Sequence, residues 1–167
     1  MQLGWQNLPW MGVMDSKDRQ IIAALQANGR MSNQELSDRV NLSPSPCLRR
    51  LRQLEDEGVI RGYTALVDEA AFGLPVTAFV RVRLQQHDSK TIAAFEAAIN
   101  RMNAVLDCYL MTGDADFLLR VLVQSLNDYE RFVRSQLHVV PRIASIDTSF
   151  AYSHVKRATV FPPVSGS

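Results

Sequence analysis

Residues Ser32 to Leu66 read SNQELSDRVNLSPSPCLRRLRQLEDEGVIRGYTAL, and this stretch decides the architecture of the first half of the chain. Ser32 with Glu35 three residues on makes a capping box, in which each side chain accepts a backbone N–H of the other residue, so a helix starts here. Leu36 and Val40 give that helix one narrow apolar stripe, and Asn41 supplies the break. Ser43 suits an N-cap and Pro44 the first helical position, where its missing N–H would be unpaired in any case. Pro46 still lies in the first turn, while Leu48, Leu51 and Leu54 recur every three residues and turn towards the other helices until Gly58 ends the element. Ser45, Arg49, Arg50, Arg52 and Gln53 are left on the other faces. A short polar N-terminus followed by clustered arginines suits entry into a major groove, because guanidinium groups pair with base edges and phosphates. Three arginines alone would read as a solvated helix face. A preceding capped helix, a tight turn and the strand-like VIRGYTALV set them in winged helix-turn-helix order.

Upstream, Asp15 or Ser16 can cap a first helix whose buried side is Ile21, Ile22 and Leu25, and Asn28-Gly29 stops it. Asn33 and Gln34 open the second helix, where free N–H groups favour anions, so they join Ser43, Ser45, Pro46, Arg49, Arg50 and Arg52 as the candidate DNA-binding set. The acidic run Glu55, Asp56, Glu57 opposes the macrodipole at its helix C-terminus and keeps that end away from phosphates.

From Pro75 the pattern changes. VTAFVRVRL alternates, with Val76, Ala78, Val80, Val82 and Leu84 on one face of a strand, and a helix capped by Ser89 follows with Ile92, Phe95, Ile99 and Met102 as its stripe. Strands over 105–111 and 117–123 flank Thr112-Gly113-Asp114-Ala115-Asp116, a turn able to close a hairpin. A helix over 127–138 buries Tyr129, Phe132, Val133 and Leu137, and a last strand runs over 143–154. The order βαββαβ is the ferredoxin-like motif, so the fold class is α+β. Its helices cover one sheet face, and Phe79 and Leu118 on the other make self-association the default expectation.

The chain has 167 residues, is 47% hydrophobic and carries a formal net charge of +1, which allows a real core and excludes a chain that grips polyanions through its global charge. No apolar run reaches the roughly 20 residues needed to span a bilayer, and the start lacks a signal-peptide pattern, so no membrane partner and a cytoplasmic location are expected. Its two cysteines, Cys47 and Cys108, read as free thiols. His87, His138 and His154 show no ligand spacing, so neither a metal nor a cofactor is expected. Nor does a histidine neighbour Cys47 in sequence to act as a base.

The run MSNQELSDRVNLSPSPCLRRLRQLEDEGVIRGYTAL is similar to one that typifies the leucine-responsive regulatory family (Lrp/AsnC), and the resemblance extends from about Asp15 to Lys156, including Gly113-Asp114-Ala115-Asp116-Phe117. Ala115 and the run Phe150 to His154 depart from the leucine-responsive type. The resemblance implies a transcriptional regulator of double-stranded DNA whose C-terminal domain binds an amino acid effector and assembles the chain into homodimers and octamers. It implies too that the strand around Tyr63 to Val67 is exchanged between dimer mates, and that the effector sits between dimers at Gly113, Asp114 and Asp116, faced by Thr148. A glycine there lets backbone N–H groups approach a carboxylate and an aspartate can pair with an ammonium, although a Gly/Asp-rich turn is more often only a turn. The expected domains are an extension over 1–13, a winged helix-turn-helix over 14–63, a linker strand and hinge over 64–74, a ferredoxin-like sensing and oligomerisation domain over 75–157, and a flexible tail over 158–167. In the extension, Trp5, Pro9 and Trp10 either belong to an upstream start or pack on a partner subunit. The competing reading is a small-molecule enzyme or ligand-sensing module on the ferredoxin-like half, with the helical half serving protein contacts. An enzyme requires an acid/base or nucleophile constellation that the sequence does not display.

Overall fold

Reciprocal caps start the first two helices of the computed structural model, which describes residues 14–164. Trp5, Pro9 and Trp10 lie outside the described residues. Asp15 accepts the N–H groups of Lys17 and Asp18, and Asp18 accepts the Asp15 N–H in return, so α1 spans Ser16–Ala27 with Asp15 as its cap. Ser32 and Glu35 repeat the arrangement at α2, Asn33–Arg39, as expected. Asn41 makes the break at φ 53°, a left-handed conformation that asparagine tolerates better than most residues. The third helix, α3, spans Pro44–Asp56 with Pro44 at its first position, but the Ser43 side chain makes no capping hydrogen bond.

Ile21, Ala24, Leu36, Val40, Cys47 and Leu54 form the core of this helical unit, with Leu51, Val59 and Ile60 packed against it. Two expectations need correction here. The inward face of α3 is Cys47, Leu51 and Leu54, while Leu48 turns partly outward. On a helix of about 3.6 residues per turn, positions three apart drift by about 60° at each step, whereas 47, 51 and 54 stay on one side. VIRGYTALV forms no strand either: Val59 and Ile60 pack on the core, and 61–67 is irregular. Among the described residues no backbone–backbone hydrogen bond serves 61–67, because this unit offers no second strand to pair with it.

The second unit is a four-stranded antiparallel sheet ordered β2-β3-β1-β4, with β1 at Val76–Leu84, β2 at Val105–Leu110, β3 at Phe117–Val123 and β4 at Ile143–Phe150. Helices α4 (Ser89–Ile99) and α5 (Leu126–Phe132) pack on one face, burying Phe95, Ile99, Tyr129 and Phe132 against Val80, Val82, Leu119 and Val121. The βαββαβ order is therefore the one expected. Asp88 rather than Ser89 caps α4, accepting the Thr91 N–H at 2.9 Å. The helix predicted over 127–138 opens after Phe132 into a wider π turn, Val133–Leu137, closed by His138 N–H donating to Val133 O. The extra residue per turn brings Leu137 beneath the sheet, where it is fully buried. The last strand stops at Phe150, opposite Ala78 of β1, with one further hydrogen bond from the Ala151 N–H to the Thr77 carbonyl at 2.9 Å, and does not run on to His154. On the open face, Arg81 pairs with Asp147 at 2.6 Å and Arg120 with Asp107 at 2.5 Å, beside Phe79, Leu118 and Tyr109.

The chain parts into two compact units, one running up to Ala65 and resuming at Lys156, the other Leu66–Val155. The C-terminal segment thus returns to the helical unit, where the Phe161 N–H donates to Gln26 Oε1 at 3.1 Å. Among the described residues no helix is long and apolar enough to cross a membrane.

Candidate nucleic-acid interface and effector site

The outward side of α3 carries Ser45, Leu48, Arg49, Arg52 and Gln53 at spacings of three and four, and with Asp56 and Glu57 they line an open groove of about 540 Å³. Arg49 and Arg52 are exposed and make no hydrogen bond or ion pair with another described residue, so both guanidinium groups are available to an external anion. Arg50 differs. Its Nη1 donates to Asp15 Oδ2 at 2.7 Å and to Asp18 Oδ1 at 2.9 Å, in the capping box of α1. Those hydrogen bonds hold Arg50 firmly in its charged form, while the Asp18 N–H, aided by Arg50, holds the Asp15 carboxyl below its ordinary range.

The smaller members of the set divide as well. Asn33 donates from Nδ2 to the Pro44 carbonyl at 3.0 Å, tying the start of α2 to the start of α3, and its Oδ1 is buried with no partner. Gln34 donates to the Asp38 carboxylate. Ser43, Ser45 and Pro46 are exposed at the N-terminal end of α3, where Pro44 and Pro46 carry no N–H and the Ser43 and Ser45 N–H groups lack helical acceptors. Glu55 in the acidic run accepts the Tyr63 hydroxyl at 2.8 Å, and burial, with Glu55 beside it, pushes that phenol up to about 12. Cys47 is completely buried, and desolvation raises its thiol pKa, which removes it from nucleophilic chemistry.

The hairpin turn is an exposed edge. Gly113 adopts φ 110°, a conformation reserved in practice for glycine, with open space where a Cβ would stand. The Asp114 carbonyl accepts Arg83 Nε at 2.7 Å, which leaves its carboxylate outward. Asp116 is engaged in full: Oδ2 accepts the Leu84 N–H at 2.7 Å and Oδ1 lies 2.8 Å from His87 Nε2. Thr148 is not brought to this turn. It sits on β4 opposite Val80, hydrogen-bonded to the Tyr129 hydroxyl, and β1 lies between β4 and the hairpin. The sequence pattern could not show the partners of Asp116 and Arg50, because Leu84, His87, Asp15 and Asp18 are remote in the chain.

Against known families, residues 14–61 match the winged helix-turn-helix DNA-binding family and residues 77–161 the Lrp/AsnC ligand binding domain. The chain belongs to the Lrp/AsnC family. It is 36% identical to the DNA-binding transcriptional activator DecR of Escherichia coli K12, covering 90% of this chain and 99% of that one. It is 39% identical to the Bkd operon transcriptional regulator of Pseudomonas aeruginosa over 87% and 95% of the two chains. A transcriptional regulator of Neisseria meningitidis, solved as its L-Met complex, superposes with a TM-score of 0.83 at 38% identity, over 89% and 96% of the two chains. This Lrp/AsnC chain is accordingly a DNA-binding transcriptional regulator, and its relatives are regulators rather than enzymes. The gap between the two matches, residues 62–76, holds the exposed segment that carries Tyr63, Leu66, Val67 and Phe72.

Proposed function

We propose that α3 lies in the major groove with Arg49 and Arg52 on base edges or phosphates, and that Ser43, Ser45, Pro46, Asn33 and Gln34 fit its N-terminal end to the backbone. The carrying observation is the outward stripe of exposed, unpaired arginines on a helix whose opposite side is core. Phosphate contacts position such a helix and base contacts give it sequence preference. The test is a salt titration of duplex binding: each phosphate contact removed should reduce the slope of log K against log salt by about one. Unchanged slopes together with unchanged base preference in both Arg49→Ala and Arg52→Ala would remove α3 from the interface.

An amino acid is the effector in this reading, a cue supported by the L-Met complex of the Neisseria relative. Gly113 offers backbone room for its carboxylate and Asp114 a free carboxylate for its ammonium, while Asp116 shapes the turn from behind. Leu110, Met111 and Ala115 favour a small or apolar side chain, and Phe117 is buried and excluded from contact. Within one protomer the turn is exposed and Thr148 is screened from it by β1, so a second dimer must supply the facing wall. The unpaired segment 61–67 finds its partner strand in a second copy, which makes the homodimer the basic unit and the octamer the larger assembly. A ligand at such a junction shifts assembly through its differential affinity for the two states. A cytoplasmic location follows from the DNA target.

A further inference from the structure

On α3 the positions 45, 48, 49, 52 and 53 form the outward stripe, and 47, 51 and 54 the inward one. Arg50 lies three residues after Cys47 and four before Leu54, so the helix carries it along the edge of the core rather than onto the reading side. Its guanidinium sits against α1, where Nη1 alone meets one oxygen of Asp15 and one of Asp18. The same two carboxylates cap α1, so the middle of α3 and the first turn of α1 share one hydrogen-bonded network. Asp18 is well covered, with its side chain 16% exposed, and Arg50 is 30% exposed. The three groups sum to one negative charge, and withdrawing Arg50 would leave two carboxylates without their cation.

We propose that Arg50 is the positioning residue of the reading helix, pinning the rotation of α3 about its own axis so that Arg49 and Arg52 meet the groove in register. This rests on α3 being the DNA-contacting helix. Recognition geometry must be held within roughly 0.5 Å and 10 to 20°. Among the described residues the inward side of α3 packs through Cys47, Leu54 and a half-buried Leu51, and the Asn33–Pro44 hydrogen bond ties its first turn to α2. The ion pair to α1 adds a second tie at mid-helix, where the rotation of Arg49 and Arg52 is set.

Positioning and reading give opposite outcomes in one experiment on the full-length protein. The probes are a duplex enriched from a random pool by the wild type and a scrambled duplex of equal length, each titrated across salt concentrations. Arg50→Met keeps the stem of the side chain and removes its charge. The expected result is a salt slope equal to wild type, a preference for the enriched over the scrambled duplex reduced about tenfold, and no single base position relaxed. The pair Asp15→Asn with Asp18→Asn, in which an asparagine can still cap α1, frees Arg50 and should also lower the preference at unchanged slope. It provides the test should Arg50→Met fail to fold. A slope flattened by about one in Arg50→Met, relaxed preference at one base, or a steeper slope in the asparagine pair would each make Arg50 a reader and overturn the proposal. Arg49→Ala and Arg52→Ala run alongside. If they flatten the slope or relax a base position and Arg50→Met does too, only the positioning role falls, and if neither of them does either, the reading of α3 falls as well.

Discussion

The outward side of α3 and the turn at 113–116 are both candidate recognition surfaces, yet the first presents several side chains from one helix and the second only an exposed edge. A convex reader needs only a helix with its apolar side on a core and its long polar side chains outward, and residues 45–53 meet that need locally. A pocket for a small zwitterion has to surround it. At the turn, Asp116 and the Asp114 carbonyl are already committed to Leu84, His87 and Arg83, leaving one outward carboxylate and a backbone edge. Within the described residues of one chain the turn is therefore an open edge.

The largest effect is expected at the sheet core that supports the turn. Phe95 and Phe117 stack with ring centroids 4.4 Å apart, and Phe117 is the first residue after the turn. Phe95→Ala should lower the stability of this unit by about 3 to 5 kcal/mol in denaturant titration and abolish effector binding with it. Asp116→Ala comes next, losing hydrogen bonds to a charged group worth roughly 1.5 to 3 kcal/mol and lowering the melting temperature. Asp114→Ala should leave melting unchanged and abolish the thermal shift that amino acids induce, and equal melting losses in the two variants would erase the division of labour between them. In the helical unit, Cys47→Ser places a hydroxyl where the thiol is fully buried and should cost about 1 to 3 kcal/mol, while native Cys47 should resist alkylation.

The smallest effect is acidic. Asp15 is lowered by the Asp18 N–H, Glu35 by the Ser32 N–H, Asp88 by the Thr91 hydroxyl and Asp128 by the Ser125 hydroxyl. A carboxyl with a depressed native pKa adds stability above its ordinary value near 4, and that stability is lost as pH falls through the lower native value. Melting temperature should therefore be level from about pH 5 upward and decline below about pH 4, and a constant value down to pH 3 would show that these caps contribute nothing.

Much of this was legible in the sequence because its causes are local. The Ser32–Glu35 box, Asn41 and Pro44 set helix boundaries within a few residues, and the alternation over 76–84 fixed which side chains of β1 face the helices. Reading Leu48, Leu51 and Leu54 as one inward row fails through the drift of a three-residue spacing, and the pairing of Arg50 with Asp15 and Asp18 leaves no local pattern. The wing strand failed for a different reason, since a strand exists only where a partner strand pairs with it. At the turn, Gly113 and Asp114 are legible as exposed polar chemistry, while the Leu84 N–H that Asp116 accepts lies 32 residues away in sequence and leaves no local signal.

The most direct test is an alanine scan of residues 45 to 54, with duplex affinity and melting temperature measured for every variant. The account predicts two interleaved helical phases: Ser45, Arg49, Arg52 and Gln53 weakening DNA binding, by about 1 to 3 kcal/mol at the arginines, with melting unchanged, and Cys47, Leu51 and Leu54 lowering the melting temperature. Loss of DNA affinity that follows only the loss of stability, with Arg49 and Arg52 silent, would contradict it.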